Sequence, residues 1–465
     1  MVAASVTIPA KAPGPVFWPL LAVVLLAPLP FAAAPGWAWP PLAALTAATL
    51  AVWAVLLAAG RATLAVPPGR IALPLLLFAC VVGWIVAQMS PGTPPSWHHP
   101  AWGEAGRALG AELAGSISID RHATLSALLR LLWYAGVFWL ALQLCRNADA
   151  ARRALGGLVL AAAAYAGYGL AIDFSDARMV LWVDKFFYHD VVTSTFINRN
   201  SYASYAGIGL IAVTALIVRR IARAPFAGRT LATRIADAIA FLFAHNWHLL
   251  AAWAVVASAL ILTASRAGVV SSLVGLFAFL AAMAASRRRA RGVVLATFLL
   301  VPAALAGFFL VSGADLARRL AHSVGATDLR LQIFDITLSG VVKWPLLGTG
   351  YGTFAKAFES LQPAERSYSG AVLRAHNTYL ENALELGLPA AAALVLSIAL
   401  LARICWRGVR RRKLDAYYPA LGVGASALVG AHSLVDFSLQ IPAVSVTYAF
   451  VLGLACAQSW SSRDA

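Results

Sequence analysis

Twelve long apolar runs divide the 465-residue sequence, and nothing else in it restricts the fold as much. They fall at 16–34, 38–59, 71–88, 124–144, 154–172, 201–218, 247–264, 268–285, 292–312, 387–402, 417–433 and 441–458. Each is about as long as a helix must be to cross a hydrocarbon layer roughly 30 Å thick. A backbone in lipid must satisfy its own hydrogen bonds, so such runs fold as helices. Composition agrees: 61% of residues are hydrophobic and 12% charged, against about 45–50% and about 25% in soluble domains. The expectation is an all-α integral membrane protein with about 12 transmembrane helices. Pro19, Pro28 and Pro30 interrupt the first run and no small-residue cleavage site follows, so it is expected to stay as a span.

The loops set the orientation. With the N-terminus inside, the cytoplasmic segments collect 22 of the 36 Lys and Arg but only 4 of the 19 Asp and Glu. That asymmetry is the positive-inside pattern and puts both termini in the cytoplasm. It also accounts for most of the +17 net charge, so no nucleic-acid partner is implied. Cys80, Cys145, Cys405 and Cys456 lie within spans or near their cytoplasmic ends, with no CxxC, so neither a disulfide nor a thiolate metal site is expected.

Three external segments are long, 89–123, 173–200 and 313–386, whereas the cytoplasmic loops are too short for a folded catalytic unit. The chain reads as N-terminal spans (1–246), a core with its long external loop (247–402, loop 313–386) and a C-terminal hairpin (403–465). Within the loop, Leu329, Ile333, Ile336 and Val341 recur at helical spacing, so 326–342 is an expected helix. Pro345 stops it, and Gly348, Gly350 and Gly352 follow in a sharp turn that lacks the strand and helix of a dinucleotide site. His376 and Asn377 then precede a second short helix ending near Gly387, with Glu381 and Glu385 one turn apart.

Candidate chemistry gathers on the external face. Arg266 lies in "TASRAGVV", between two spans with almost no loop; an Arg at that level either pairs, binds an anion or extends to water. Arg199 opens the sixth span, Arg330 lies on the loop helix, and His432 and Asp436 stand at the last hairpin. Asn377 also suits a plain helix cap. Several guanidinium forks beside one imidazole suit a phosphate or diphosphate held next to a hydroxyl that loses its proton.

Ser-Arg-Ala-Gly between spans, an Arg-led helix running into Pro-Leu-Leu-Gly-x-Gly-x-Gly-x-Phe, His-Asn-x-Tyr-Leu-Glu with Glu-x-Gly, and an Asp in the last hairpin together resemble the O-antigen ligase and O-antigen polymerase superfamily. The resemblance is densest over 247–400. It implies a GT-C-like fold in the bacterial inner membrane and an active site facing the periplasm. It further implies glycan transfer from undecaprenyl diphosphate either to lipid A–core or to a second lipid-linked glycan. Carried onto this sequence, His376, Arg266 and Arg330 are the expected catalytic residues, and Arg199, Arg374, Asn377 and Asp436 the expected substrate-binding ones, Asp436 orienting His376 or another side chain. No Asp-x-Asp motif occurs and no carboxylate pair stands in the short loop "APGWAWP", so neither a metal nor another cofactor is expected. A lipid-linked oligosaccharide flippase is the alternative from another class. It would place charges deep in the bundle and show internal repeats. A peptidoglycan polymerase of the shape-and-division type is an enzymatic alternative whose motifs are not recognisable here.

Overall fold

The computed structural model describes residues 14–175, 177–224, 230–286, 324–362, 372–412 and 415–460. Sixteen α-helices run through them: α1 (Phe17–Leu26), α2 (Trp39–Ala58), α3 (Ala72–Met89), α4 (Ala101–Leu109), α5 (Arg121–Leu144), α6 (Ala148–Phe174), α7 (Arg199–Arg223), α8 (Leu231–His245), α9 (Trp247–Leu262), α10 (Arg266–Ser286), α11 (Val324–Lys343), α12 (Phe354–Leu361), α13 (Thr378–Leu386), α14 (Leu388–Arg411), α15 (Tyr417–His432) and α16 (Pro442–Ala457). A two-residue antiparallel hairpin, β1 (Met179–Val180) with β2 (Val183–Asp184), interrupts the connection after α6.

Local chemistry marks the helix starts. Asp120, Asn147, Asn198 and Asn377 each accept a backbone N–H from the first turn of α5, α6, α7 and α13, which pairs donors that a helix otherwise leaves free. Pro389 and Pro442 sit in the first turns of α14 and α16, where a missing N–H costs nothing.

Seven described helices are long and apolar enough to cross a membrane: α2, α3 with its leading turn, α5, α6, α7, α10 and α14. An eighth span exists if α8 and α9 count as one, although they meet at Asn246 with a 92° bend. Among the described residues the expected twelve are therefore not reached. The first run forms only the 10-residue α1, and the last two give 16-residue helices, each short of a full crossing. The ninth run, 292–312, lies outside the described residues.

Helix α7 is the axis, enclosed along almost its whole length by contacts with α6, α9, α10 and α15. Helices α10 and α15 cross in close approach, where a Cβ on Gly275 would meet the carbonyl oxygen of Gly424 at 2.7 Å. Small residues let backbones approach this closely, which is how apolar helices associate without a hydrophobic driving force. Because α7, α9, α10, α15 and α16 run up and down, the start of α7, the α9–α10 turn and the α15–α16 turn converge at one end.

Candidate functional site

At that end a hydrogen-bonded chain joins three distant segments. Ser265, in the α9–α10 turn, donates to Asn200 Oδ1 at 2.7 Å, and Asn200 Nδ2 donates to Asp436 Oδ2 at 2.5 Å. The other carboxylate oxygen of Asp436 accepts the Phe437 N–H at 2.7 Å. Arg330 of α11 approaches Oδ2 at 3.6 Å. Asp436 is fully buried, and burial raises its pKa to about 6 against the opposing pull of the Phe437 N–H, Arg330, Asn200 and Arg199. It is mostly ionised at neutral pH.

Arg199 lies within electrostatic reach of Arg330, Arg266 and Asp436, and Asp436 within reach of Arg330 and Arg199. The Arg199 guanidinium lies 5.3 Å from the Tyr188 ring, and its Nε is buried without a hydrogen-bond partner. Arg266 is exposed at the first position of α10 and forms no ion pair with any described residue. Two guanidiniums, Arg199 and Arg330, face one carboxylate, and Arg266 adds a third positive charge beside Arg199, an excess that suits a diphosphate.

His376 immediately precedes the Asn377 cap of α13 in a left-handed conformation (φ +53°). Histidine adopts that region more readily than most residues. Its ring lies edge-on to Phe437 at 4.9 Å, and its Nδ1 is buried with no hydrogen-bond partner. Burial first, and Arg330 second, push its pKa down to about 4, so the imidazole is neutral at physiological pH. Asp436 forms no hydrogen bond with His376. It organises Asn200 and Arg330 instead, and its chain neighbour Phe437 supports the ring.

Asn377 is committed to structure. Its Oδ1 accepts from the N–H groups of Tyr379 and Leu380, and its Nδ2 donates to the Leu434 carbonyl. Arg374 is likewise committed, paired to buried Glu381 at 3.0 Å. Glu381 also accepts the Ala375 N–H, so one carboxylate fixes both residues before His376. Glu385, one turn on, accepts the Phe354 N–H. The three-glycine turn is packing rather than a phosphate cradle. Gly350 (φ +104°) lies so close to Ser118 that a Cβ would stand 2.4 Å from its Oγ, and one on Gly348 (φ +69°) would stand 2.3 Å from the Glu385 carbonyl.

Asn200 and Ser265 carry the site's hydrogen bonds, yet only their place beside Arg199 and Arg266 hints at this in sequence. Tyr188 has no such signal. His432 accepts or donates at Nδ1 to Ser204 (2.6 Å) and Ser438 (3.0 Å), while its buried Nε2 has no partner.

Residues 249–395 match the O-antigen ligase family model, which supports over that stretch the resemblance to the O-antigen ligase superfamily read from the motifs. The matched segment holds Arg266, Arg330, Arg374, His376 and Asn377, while Arg199 and Asp436 lie outside it. No curated protein matches the chain. A domain of this family implies a glycosyltransferase-like membrane enzyme with lipid-linked glycan substrates.

Proposed function

We propose that the protein transfers a glycan from undecaprenyl diphosphate to an acceptor hydroxyl at the periplasmic face of a bacterial inner membrane, as an O-antigen ligase or polymerase. The observation that carries this reading is the pairing of three arginines, in positive excess, with a neutral histidine whose ring nitrogen is unpartnered. The full chain, with residues 287–323 and the shorter apolar helices included, is read as a twelve-span, GT-C-like bundle with both termini cytoplasmic.

In the reaction the acceptor oxygen attacks the anomeric carbon while the bond from that carbon to the diphosphate oxygen breaks. The hydroxyl proton passes to His376, and the bonding electrons leave with the lipid diphosphate. Arg199, Arg266 and Arg330 meet the charge that develops on the leaving group. Losing one such preorganised donor typically costs about 10²–10³ in rate, and general base assistance contributes about 10²–10⁴. The diphosphate linkage supplies the driving force, and the arginines take the place of a metal ion. Asp436 keeps Arg330 and Asn200 in position, Asn377 fixes the helix behind His376, and Arg374 acts away from the donor diphosphate.

The test is a deletion strain complemented with wild type, His376→Ala or Arg266→Ala, with surface glycans read by gel and mass spectrometry. Stable variants that lose polymer on lipid A–core while lipid-linked polymer accumulates indicate a ligase. Accumulation of single lipid-linked repeats indicates a polymerase. Full restoration by both variants overturns the catalytic reading and favours the flippase.

A further inference from the structure

On the far side of α13 from the arginines lies a half-open cavity of about 1040 Å³, between α2, α3, α5, α14, α15 and α16. It is as large as the upper end of ordinary ligand pockets, roughly 300–1,000 Å³. Its body is apolar, walled by residues such as Phe78, Leu131, Trp139 and Leu452. Along α14 it extends from Leu394 to Trp406, about 18 Å at the rise of a helix.

One end is charged. Arg130, Arg374, Glu381 and Glu385 converge there. Arg130 belongs to the spanning helix α5, nine residues after Arg121, hence about 14 Å along it. A cation there needs a partner or a purpose. Its Nε donates weakly to the Ser126 carbonyl at 3.3 Å, and its guanidinium lies 6.0 Å from the Trp39 ring. It forms no ion pair with a described carboxylate. Arg374 is paired to Glu381, and burial beside Glu381 pushes the pKa of Glu385 up. Arg130 is therefore the cation of this end that no described carboxylate pairs.

The cavity and the arginine site share a thin wall. Thr378 lines the cavity, and its hydroxyl donates to the Asp436 carbonyl at 3.1 Å, while the Asp436 carboxylate faces Asn200 and Arg330 on the other side. His376 is two residues before Thr378.

We infer that this cavity seats the lipid anchor of the acceptor, with a phosphate on its head at Arg130 and its chains along the apolar body. The inference rests on the proposed transfer reaction. Donor and acceptor then approach His376 from opposite sides of the Thr378–Asp436 wall. Bilayer lipid filling a greasy cleft would show no need for a phosphate, and Arg130 is what separates the two cases.

The experiment uses the full-length protein in nanodiscs with a photoreactive phosphatidate and a photoreactive diacylglycerol of the same chains, mapping labelled peptides by mass spectrometry. The phosphatidate labels α5 and α14 roughly tenfold more than the diacylglycerol, the factor expected for one hydrogen bond to a charged group. Arg130→Leu removes that preference, and Ala399→Trp, which fills the apolar body, removes cavity labelling by both probes. In a transfer assay Arg130→Leu raises KM for a lipid-linked acceptor about tenfold and leaves KM for the donor unchanged. Equal labelling by the two probes, a preference that survives Arg130→Leu, or a KM change confined to the donor overturns the inference. Failure of the transfer reading looks different: the phosphate preference persists, but His376→Ala still transfers glycan.

Discussion

The neutral state of His376 has a consequence for the pH profile that separates it from an ordinary histidine. Burial and Arg330 lower its pKa from 6.5 to about 4. At pH 5.5 an imidazole with the ordinary value is only about one tenth neutral, whereas one at about 4 is almost wholly so. The acid limb of kcat/KM reports the free enzyme, so transfer measured from pH 5 to pH 8 loses less than about twofold between pH 7.5 and pH 5.5 on account of His376. Asp436 titrates in the same window, since burial raises it to about 6. Protonating it removes the negative charge facing Arg330. The Asp436→Asn variant isolates the two effects. An asparagine oxygen still accepts the Phe437 N–H, and Asn200 turns its amide so that its oxygen meets the new Nδ2 and its own Nδ2 meets Ser265 Oγ. Any inflection near pH 6 disappears in that variant, and the profile stays flat to about pH 5. The linkage signs are opposite for the two groups. His376, with its pKa depressed, contributes stability that is present above 6.5 and lost as pH falls through 4. Asp436, with its pKa raised, contributes stability that is present below 3.8 and lost as pH rises through about 6. A tenfold loss centred on pH 6.5 in both wild type and Asp436→Asn refutes the buried, neutral histidine.

Other substitutions test single contacts. Asn377→Ala lowers stability by about 1 kcal/mol by removing a helix cap, while Asn377→Ser keeps the cap and most of the activity; equal loss of transfer in both means that Asn377 touches substrate. Gly350→Ala forces a Cβ against Ser118 in a left-handed backbone, so the purified protein melts several degrees lower, and an unchanged midpoint shows that the turn is looser than described. Arg266→Lys keeps the charge but not the planar fork, so its kcat lies between wild type and Arg266→Ala; a value equal to wild type reduces Arg266 to a point charge.

The sequence readily exposes whatever depends on local periodicity. The helix expected over 326–342 appears as Val324–Lys343, stopped before Pro345, and His376 and Asn377 do sit at the head of a short helix. Apolar length was a weaker guide. Runs of similar greasiness give helices of 10 to 27 residues because Pro28 and Pro30 follow the end of α1 and the chain bends at Asn246. The site's partners were mostly hidden. Asn200 and Asp436 are 236 residues apart, and their hydrogen bond is set by how α7 packs against α15 and α16, which no local pattern encodes. Arg374 looked like one more phosphate ligand because its pairing with Glu381 depends on how the chain folds back around His376. The lateral cavity is a property of six helices together, which no single run announces.

The most direct test of the transfer mechanism is single-turnover glycan transfer by purified protein, with wild type or His376→Ala in excess of a synthetic undecaprenyl-diphosphate-linked donor. The mechanism predicts a rate lower by about 10²–10⁴ in the variant, with donor binding kept within a few-fold because Arg199, Arg266 and Arg330 are intact. A variant rate within threefold of wild type contradicts it.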